Sequence, residues 1–348
     1  MNEQERYDNL DGLRAVSCLA IAAMHIRANA AFDLAPWART MVGSWTHFVY
    51  LFLMISGFGM FCGYYERFRD GKADVNAFYR KRYAKILPFF GLLILADLII
   101  ERSVPHLIEG LTELTLVFGL LPNNSMEVIG VGWTIGIIFL FYMLFPFFVF
   151  LCWSRKRAWF SFAVSILLCV ACSLYFFTDR FVIEGFAPRH SFLYCAPYFL
   201  SGGLVYLYRN EIRTFVSRFR WPCLGVCVLV TVLYYVWLRT RISMDDPGPW
   251  MLAVFLPWLV YAVGAKSAVL SNPVMKFLSG ISLEIYLAHM VVFRAFEKLD
   301  ILYFAGNGPL GFAALWAAVV GLLILCILAY RWVYGLVSAR VRKMKERG

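Results

Sequence analysis

The sequence predicts an all-α protein that crosses a membrane about ten times. Of its 348 residues 61% are hydrophobic and only 16% are charged, whereas a soluble domain is usually about half apolar and a quarter charged. The net charge of +11 does not indicate nucleic-acid binding, because the basic residues sit in short loops between apolar segments. Such a distribution is the topology signal of a membrane protein.

Ten segments approach the length of about 20 mostly apolar residues that a spanning helix needs. They lie near 11–30, 45–64, 85–101, 132–152, 158–177, 191–208, 221–239, 249–265, 280–299 and 309–333. An eleventh apolar stretch near 107–121 is short and contains Glu109 and Glu113. We expect this stretch to form an interfacial or re-entrant helix.

The charges of the loops orient the chain. With a cytoplasmic N-terminus and ten crossings, most of the 33 lysine and arginine residues lie on the cytoplasmic side, as the positive-inside rule requires. Counting 107–121 as a further span would place the basic clusters on both sides. We therefore predict cytoplasmic N- and C-termini and a single transmembrane domain over 1–348, without a fused soluble domain.

The first predicted helix contains three ionisable side chains that point to function. Arg14 and His25 are eleven residues apart, which places them about 20° from each other around a helix, and Asp11 shares their stripe. Ionisable groups inside a bilayer are costly and are functional candidates by default. A neutral imidazole at His25 suits proton removal from a hydroxyl group. The alternative is a structural histidine that is hydrogen-bonded to a neighbouring helix.

The next two predicted helices contain small and basic residues. Ser56 and Gly57 interrupt a bulky run, which lets a ligand or another helix approach closely. Arg82 and Lys85 lie three residues apart at the start of the third span, with Pro88 in its first turns. Such a pair suits the phosphates of a ligand, although a plain cytoplasmic anchor explains it as well.

The ninth predicted helix carries Ser282, Tyr286 and His289 on one stripe. This stripe is either a polar wall of a substrate cavity or a polar packing seam. The remaining histidines, His47, His106 and His190, lie near predicted outer boundaries, where we expect them to be solvated. The histidine spacing does not suit a metal site, so no metal is expected.

Four motifs together resemble the acyltransferase-3 family of integral membrane acyltransferases, which includes enzymes that O-acetylate bacterial surface polysaccharides. They are LDGLRA (10–15) followed by His25, FLMISGF (52–58), YRKRYAKILPFF (79–90) and FLSGISLEIYLAH (277–289). Two departures stand out. Lys85 replaces an arginine, which loses the bidentate fork. The segment WTIGIIFLFYMLFP (133–146) keeps Trp133, Tyr142 and Pro146 but lacks the glutamate that many members have there.

The resemblance implies transfer of an acetyl group from acetyl-CoA, or of another acyl group from its CoA ester, to a hydroxyl of a glycan or lipid-linked sugar. It implies the bacterial cytoplasmic membrane as the location. His25 would be catalytic as a base or as an acyl carrier. The residues expected beside it are Arg14 and Asp11 for catalysis; Arg82, Lys85, Ser56 and Gly57 for the CoA; and Ser282, Tyr286, His289 and Trp133 for the acceptor.

Two other functions remain compatible with the sequence. A transporter that exports a small acylated or acidic molecule would also place polar residues within its spans, but it would release no free CoA. The third hypothesis is a non-catalytic partner in polysaccharide assembly, whose function would not require His25 or Arg82. Assembly into a homo-oligomer is open.

Overall fold

The computed structural model describes residues 7–121, 126, 128–178, 180–182, 186–238 and 246–345, and the regular elements in these ranges are all helical. The all-α class is therefore confirmed for this part of the chain. The α-helices are α1 (Asn9–Asn29), α2 (Pro36–Gly43), α3 (Phe48–Arg69), α4 (Val75–Glu101), α5 (Val104–Leu114), α6 (Trp133–Met143), α7 (Phe145–Leu151), α8 (Arg155–Ala171), α9 (Phe192–Leu207), α10 (Arg209–Arg218), α11 (Arg220–Leu233), α12 (Trp250–Gly264), α13 (Pro273–Gly280), α14 (Ser282–Lys298) and α15 (Pro309–Lys345).

Five described helical segments are long and apolar enough to cross a membrane, or seven if each of two bent helix pairs counts as one span. Two shorter apolar helices, α9 and α12, lie where further spans are predicted. Although α1 has 21 residues, its polar side chains make it less apolar than the others. The multi-pass character of the protein follows from these helices, whereas ten crossings and cytoplasmic termini stay predictions.

Helix α4 begins well before the apolar segment that it contains. The side chain of Asp74 accepts a hydrogen bond of 2.9 Å from the backbone N–H of Ala77, which caps the helix start. Arg82 and Lys85 therefore lie inside a helix that is already formed. Pro88 lies in its interior, so its expected place in the first turns was wrong.

Two predicted spans are broken rather than continuous. Helices α6 and α7 meet at Leu144 with a bend of 58°, and Pro146 lies in the first turn of α7. Proline has no N–H to donate and its ring clashes with the preceding turn, which favours a break in the helix at this position. Helices α13 and α14 are likewise bent by 69° at Ile281.

The short segment near 107–121 also forms less helix than a span needs. It contains α5 and a single 3₁₀ turn, Phe118–Leu120. The turn before α5 is sharp because Arg102 adopts a left-handed backbone conformation (φ 43°). Ser103 then caps α5 by accepting the backbone N–H of His106. The shortness matches the expectation, and an interfacial position stays a prediction.

Contacts divide the chain into two compact units. The large unit comprises Met1–Ser17 and His47–Lys276, and the small unit comprises Cys18–Thr46 and Phe277–Gly348. The boundary falls within α1, so the first half of this helix belongs to the large unit and the second half to the small unit. The predicted single domain thus contains two packing units.

The large unit is built on a close crossing of α3 and α9. A Cβ atom at Gly57 would overlap the carbonyl oxygen of Phe199, and one at Gly202 would overlap that of Met54. Both glycines are therefore explained by backbone approach between two helices. For Gly57 this is the packing alternative that the sequence left open.

In the small unit, polar groups join the described helices. The indole N–H of Trp316 on α15 donates to the carbonyl oxygen of Leu19 on α1 (3.2 Å). Arg331 on α15 donates from Nε to Glu284 (2.9 Å) and from Nη2 to the carbonyl oxygen of Gly280 (2.6 Å). These bonds link α15 to α1 and to the bend between α13 and α14.

Candidate active site

In the small unit, two histidines from helices far apart in sequence lie side by side. The imidazole of His25, on α1, and that of His289, on α14, have their ring centroids 5.1 Å apart with an angle of 44° between the rings. His25 is half-buried, whereas His289 is completely buried, with 0% exposure. Two of the sequence-predicted site residues, one assigned to catalysis and one to the acceptor, are therefore neighbours.

The two ring nitrogens of His289 differ in their surroundings. Nδ1 lies 3.2 Å from the carbonyl oxygen of Ile285, one turn earlier in α14. Nε2 is buried and has no hydrogen-bond partner among the described residues. Buried polar atoms in proteins are nearly always hydrogen-bonded, so the absence of a partner for this nitrogen needs a functional or structural explanation.

The other predicted residues of α14 have ordinary surroundings. The ring of Tyr286 is buried, and its centroid lies 6.1 Å from that of His289. The hydroxyl of Ser282 donates to the carbonyl oxygen of Ser279 (2.8 Å), a local bond at the helix start. Tyr286 thus extends the surroundings of His289, while Ser282 supports the turn between α13 and α14.

The other two ionisable residues of α1 lie in the large unit. Arg14 and Asp11 form an ion pair of 4.0 Å at i, i+3. They line a cavity of about 210 Å³ whose remaining wall is formed by Tyr7, Leu10, Phe58, Gly59 and Cys62. A Cβ atom at Gly59 would lie 3.4 Å from Nη2 of Arg14, so glycine leaves room for the guanidinium. The three residues of the predicted stripe are therefore divided between the two units.

Arg82 is surrounded by aromatic rings of the large unit. Its guanidinium carbon lies 4.8 Å from the centroid of Tyr64, 5.5 Å from that of Phe78 and 5.4 Å from that of Tyr142. Cation–π attraction holds a guanidinium at such positions. The Nε–H is buried without a hydrogen-bond partner among the described residues, which leaves a donor for an anionic ligand. Lys85, one turn later, is exposed.

Sequence reasoning missed the aromatic surroundings of Arg82. The three rings come from α3, α4 and α6, and only Tyr142 belongs to a segment that the sequence had singled out. No periodic pattern within one helix reports a contact between three helices. Ser56, also on α3, is half-buried, and its predicted role at the donor stays a prediction.

Trp133 packs against a basic segment. Its indole centroid lies 4.6 Å from the ring of His190, and the guanidinium of Arg189 lies 5.7 Å from the indole. His190 is buried rather than solvated (6% exposed), and burial lowers its pKa to about 3. The expected solvation of His190 was therefore wrong, since Trp133 covers it.

The other two outer histidines also have partners. His47 is buried and its Nδ1 lies 3.0 Å from the hydroxyl of Tyr234, which corrects the expected solvation. His106 is partly exposed and pairs with Asp97 at 2.7 Å. The hydrogen bond from this carboxylate raises the pKa of His106.

Glu113 on α5 is a buried carboxyl group that the sequence had treated only as a polar interruption. It is wholly buried (0% exposed), and neither carboxylate oxygen has a hydrogen-bond partner among the described residues. Burial raises its pKa from 4.5 to about 8. Glu113 is therefore mostly protonated at neutral pH.

Among the described residues, no group of three or more histidine, cysteine, aspartate or glutamate side chains is placed to hold a metal ion. The polar residues that the structure brings together are His25 with His289, Asp11 with Arg14, and Arg82 with Tyr142. These suit proton transfer in the small unit and anion binding in the large unit.

The acyltransferase-3 family model, described as an acyltransferase domain, matches residues 7–331. This range covers most of both packing units and includes each of the site residues discussed above. No curated protein matches the chain, and no solved structure matches it either. The match covers most of the chain and agrees with the motifs around His25, Arg82 and His289. The chain therefore belongs to the acyltransferase-3 family and is a membrane acyltransferase.

Proposed function

We propose that this acyltransferase moves an acetyl group from acetyl-CoA to a hydroxyl group of a cell-surface glycan or a lipid-linked sugar, in the bacterial cytoplasmic membrane. The family supports acyl transfer, and the bilayer location follows from the apolar helices. The observation that carries the chemistry is the half-buried imidazole of His25 beside the buried His289.

His25 acts as the general base in this proposal. It takes the proton of the acceptor hydroxyl while the hydroxyl oxygen bonds to the acyl carbon. The bond between that carbon and the CoA sulfur then breaks, and the imidazolium of His25 returns its proton to the leaving thiolate. Each turnover thus consumes one acyl-CoA and releases one CoA thiol and one ester.

Arg82 and Lys85 bind the phosphates of the donor. The guanidinium of Arg82 is held between aromatic rings with an unpaired Nε–H, so it is oriented before a ligand arrives. Guanidinium groups bind phosphate through directed, charge-assisted hydrogen bonds. Lys85 adds an exposed charge one turn later, and Ser56 is assigned to the same ligand.

The remaining predicted residues complete the proposal. Arg14, with Asp11 as its ion-pair partner, faces a cavity and contributes a second fixed cationic group for catalysis. Tyr286 and Trp133 are aromatic side chains suited to a sugar ring, and Ser282 supports the helix start that carries Tyr286.

The decisive experiment uses membrane vesicles that contain the full-length protein, radiolabelled acetyl-CoA and the vesicles' own glycans. We expect His25→Ala to lower label transfer at least about 100-fold, the low end for loss of a general base, with the protein still present in the membrane. His106→Gln is the matched control, since His106 lies outside the proposed machinery. Wild-type transfer by His25→Ala would overturn the proposed chemistry, and a wild-type protein that releases no CoA thiol would instead indicate a transporter.

A further inference from the structure

The hydrogen bond at Nδ1 of His289 determines which nitrogen carries the proton. A carbonyl oxygen only accepts hydrogen bonds, so the Nδ1 that lies 3.2 Å from the oxygen of Ile285 must be the protonated nitrogen. A fully buried imidazole without a carboxylate contact among the described residues is neutral, because an unpaired buried charge is too costly. The lone pair of His289 is therefore at Nε2.

That lone pair is the buried atom without a hydrogen-bond partner in the described part of the chain. Leaving a buried acceptor unpaired costs the free energy of its lost hydration. Of the two aromatic side chains beside His289 that can donate, the ring of His25 is nearer, with its centroid 5.1 Å away against 6.1 Å for Tyr286. At this separation a ring nitrogen of one imidazole reaches that of the other when the two point at each other.

We propose that His289 is the positioning residue for His25: its Nε2 accepts the N–H of the His25 imidazole. The opposite nitrogen of His25 is then unprotonated and faces the acceptor hydroxyl. Catalytic hydrogen bonds are often long in a free enzyme and shorten in its complex, so a rotation of the half-buried His25 ring on substrate binding completes the bond. This inference rests on the proposed role of His25 as the base.

The same bond explains why a neutral partner suits this site. When His25 takes the hydroxyl proton it becomes an imidazolium, and its N–H to His289 becomes a charge-assisted hydrogen bond. A carboxylate in that place would be a buried charge whenever His25 is neutral, with the desolvation cost that such a charge carries. A second imidazole stabilises the imidazolium without that cost.

Two substitutions at His289 separate an acceptor role from a packing role. Glutamine places an oxygen near the position of Nε2, so His289→Gln retains an acceptor for His25. Asparagine reaches only the position of Nδ1, so His289→Asn keeps a group near the carbonyl oxygen of Ile285 and loses the acceptor. His47, buried and bonded to Tyr234, supplies the matched pair His47→Gln and His47→Asn.

The assay is label transfer from radiolabelled acetyl-CoA to the glycans of membrane vesicles, with kcat and the KM for acetyl-CoA measured separately. We expect His289→Gln to stay within about tenfold of wild type, and His289→Asn to lose about 100-fold in kcat with an unchanged KM. The two His47 variants should not differ from each other in kcat. Equal kcat values for the two folded His289 variants, or a difference confined to KM, would overturn the proposal.

A measurement on the wild-type protein tests the pair without any substitution. In a structure with CoA bound, we expect the nearest nitrogen of His25 to lie about 3 Å from Nε2 of His289. A separation above about 4 Å would contradict a hydrogen bond between them. The His25→Ala result shows which of the two hypotheses fails. Wild-type transfer by that variant would contradict the role of His25 as the base. An inactive His25→Ala together with equal kcat values for the two His289 variants would contradict only the role of His289 as its positioning residue.

Discussion

The contacts inside the large unit differ in kind from those inside the small unit. In the large unit, α3 and α9 cross with their backbones in contact at Gly57 and Gly202, and aromatic rings fill the space around the crossing. In the small unit, α15 is joined to its neighbours by the hydrogen bonds of Trp316 and Arg331. Arg82, the proposed donor-binding residue, lies in the large unit, and His25, the proposed base, lies in the small unit.

This difference has a physical basis in the bilayer. Lipid chains are as apolar as leucine, so helices associate by close packing at small residues or by hydrogen bonds between side chains. Close packing makes a rigid frame that tolerates no added atom, whereas hydrogen-bonded contacts tolerate small movements. A base that must receive and return a proton is better served by the second arrangement.

The sharpest test of the packed unit is Gly57→Ala. Its Cβ would overlap the backbone of α9, so the helices must separate, and overpacking of this kind costs about 1–3 kcal/mol or more. We expect a large loss of folded protein in a thermal-stability assay of the purified enzyme. Gly63→Ala is the control on the same helix, because nothing lies within 4 Å of the Cβ that it adds, and it should leave stability unchanged or slightly raised. Equal effects of the two substitutions would contradict the close crossing.

The next effect concerns the donor. Arg82→Lys keeps the charge but loses the planar group that stacks on Tyr64, Phe78 and Tyr142. We expect the KM for acetyl-CoA to rise about tenfold, the size expected for losing cation–π contacts, while stability changes little. Lys81→Ala removes a neighbouring exposed charge and should alter KM less. If the KM is unchanged in Arg82→Lys, which keeps the charge, and raised in Lys81→Ala, which removes one, then Arg82 is only a plain cytoplasmic anchor.

In the small unit, Glu284→Gln tests the polar contact. Arg331 keeps its bond to Gly280 but loses the carboxylate, so we expect a loss of about 1 kcal/mol in the free energy of unfolding, as for other hydrogen bonds between membrane helices. The comparison pair is Arg155 with Glu211 in the large unit, which is about half-exposed. Glu211→Gln should have no measurable effect. If Glu211→Gln lowers the free energy of unfolding more than Glu284→Gln does, the proposed importance of hydrogen bonds in the small unit is contradicted.

A further test is a dependence of stability on pH. The pKa of Glu113 is raised to about 8 in the folded protein, above its ordinary 4.5, so folding favours its protonated form. The stability that this proton contributes is complete below about pH 4.5 and falls as the pH rises through about 8. Thermal unfolding across this range should show that slope in the wild type and a weaker one in Glu113→Gln. Glu109→Gln, a half-buried position on the same helix, should retain it, and an unchanged slope in Glu113→Gln would contradict the buried acid.

Much of the helix layout was predictable, because apolar length and loop charge are local properties of the chain. The apolar segment 85–101, which lies inside α4, the shortness of the segment near 107–121 and the family motifs were each visible in the sequence. The broken spans were not predicted, although Pro146 was in view. A proline in an apolar run gives no sign of whether the helix bends or ends.

The sequence supplied a set of candidate site residues, whose roles stay predictions, but it could not supply their arrangement. His25 and His289 were assigned to separate tasks, since only folding places α1 beside α14. The burial of His47, His190 and Glu113 was missed for the same reason: the groups that cover them come from distant parts of the chain. For His47, the covering hydroxyl belongs to Tyr234, 187 residues away.

The bend between α13 and α14 has a consequence for how the protein is made. At this bend the carbonyl oxygen of Gly280 and the carboxylate of Glu284 accept hydrogen bonds from Arg331. This arginine lies on α15 and leaves the ribosome about 50 residues later, which is several seconds at ordinary rates of synthesis. During that interval these two acceptors lack their arginine donor, so they depend on water or other groups for hydrogen bonds. We therefore expect the start of the helix that carries His289 to reach its final form only when α15 has been inserted, and we expect nascent chains stopped before Arg331 to be the preferred targets of membrane quality control.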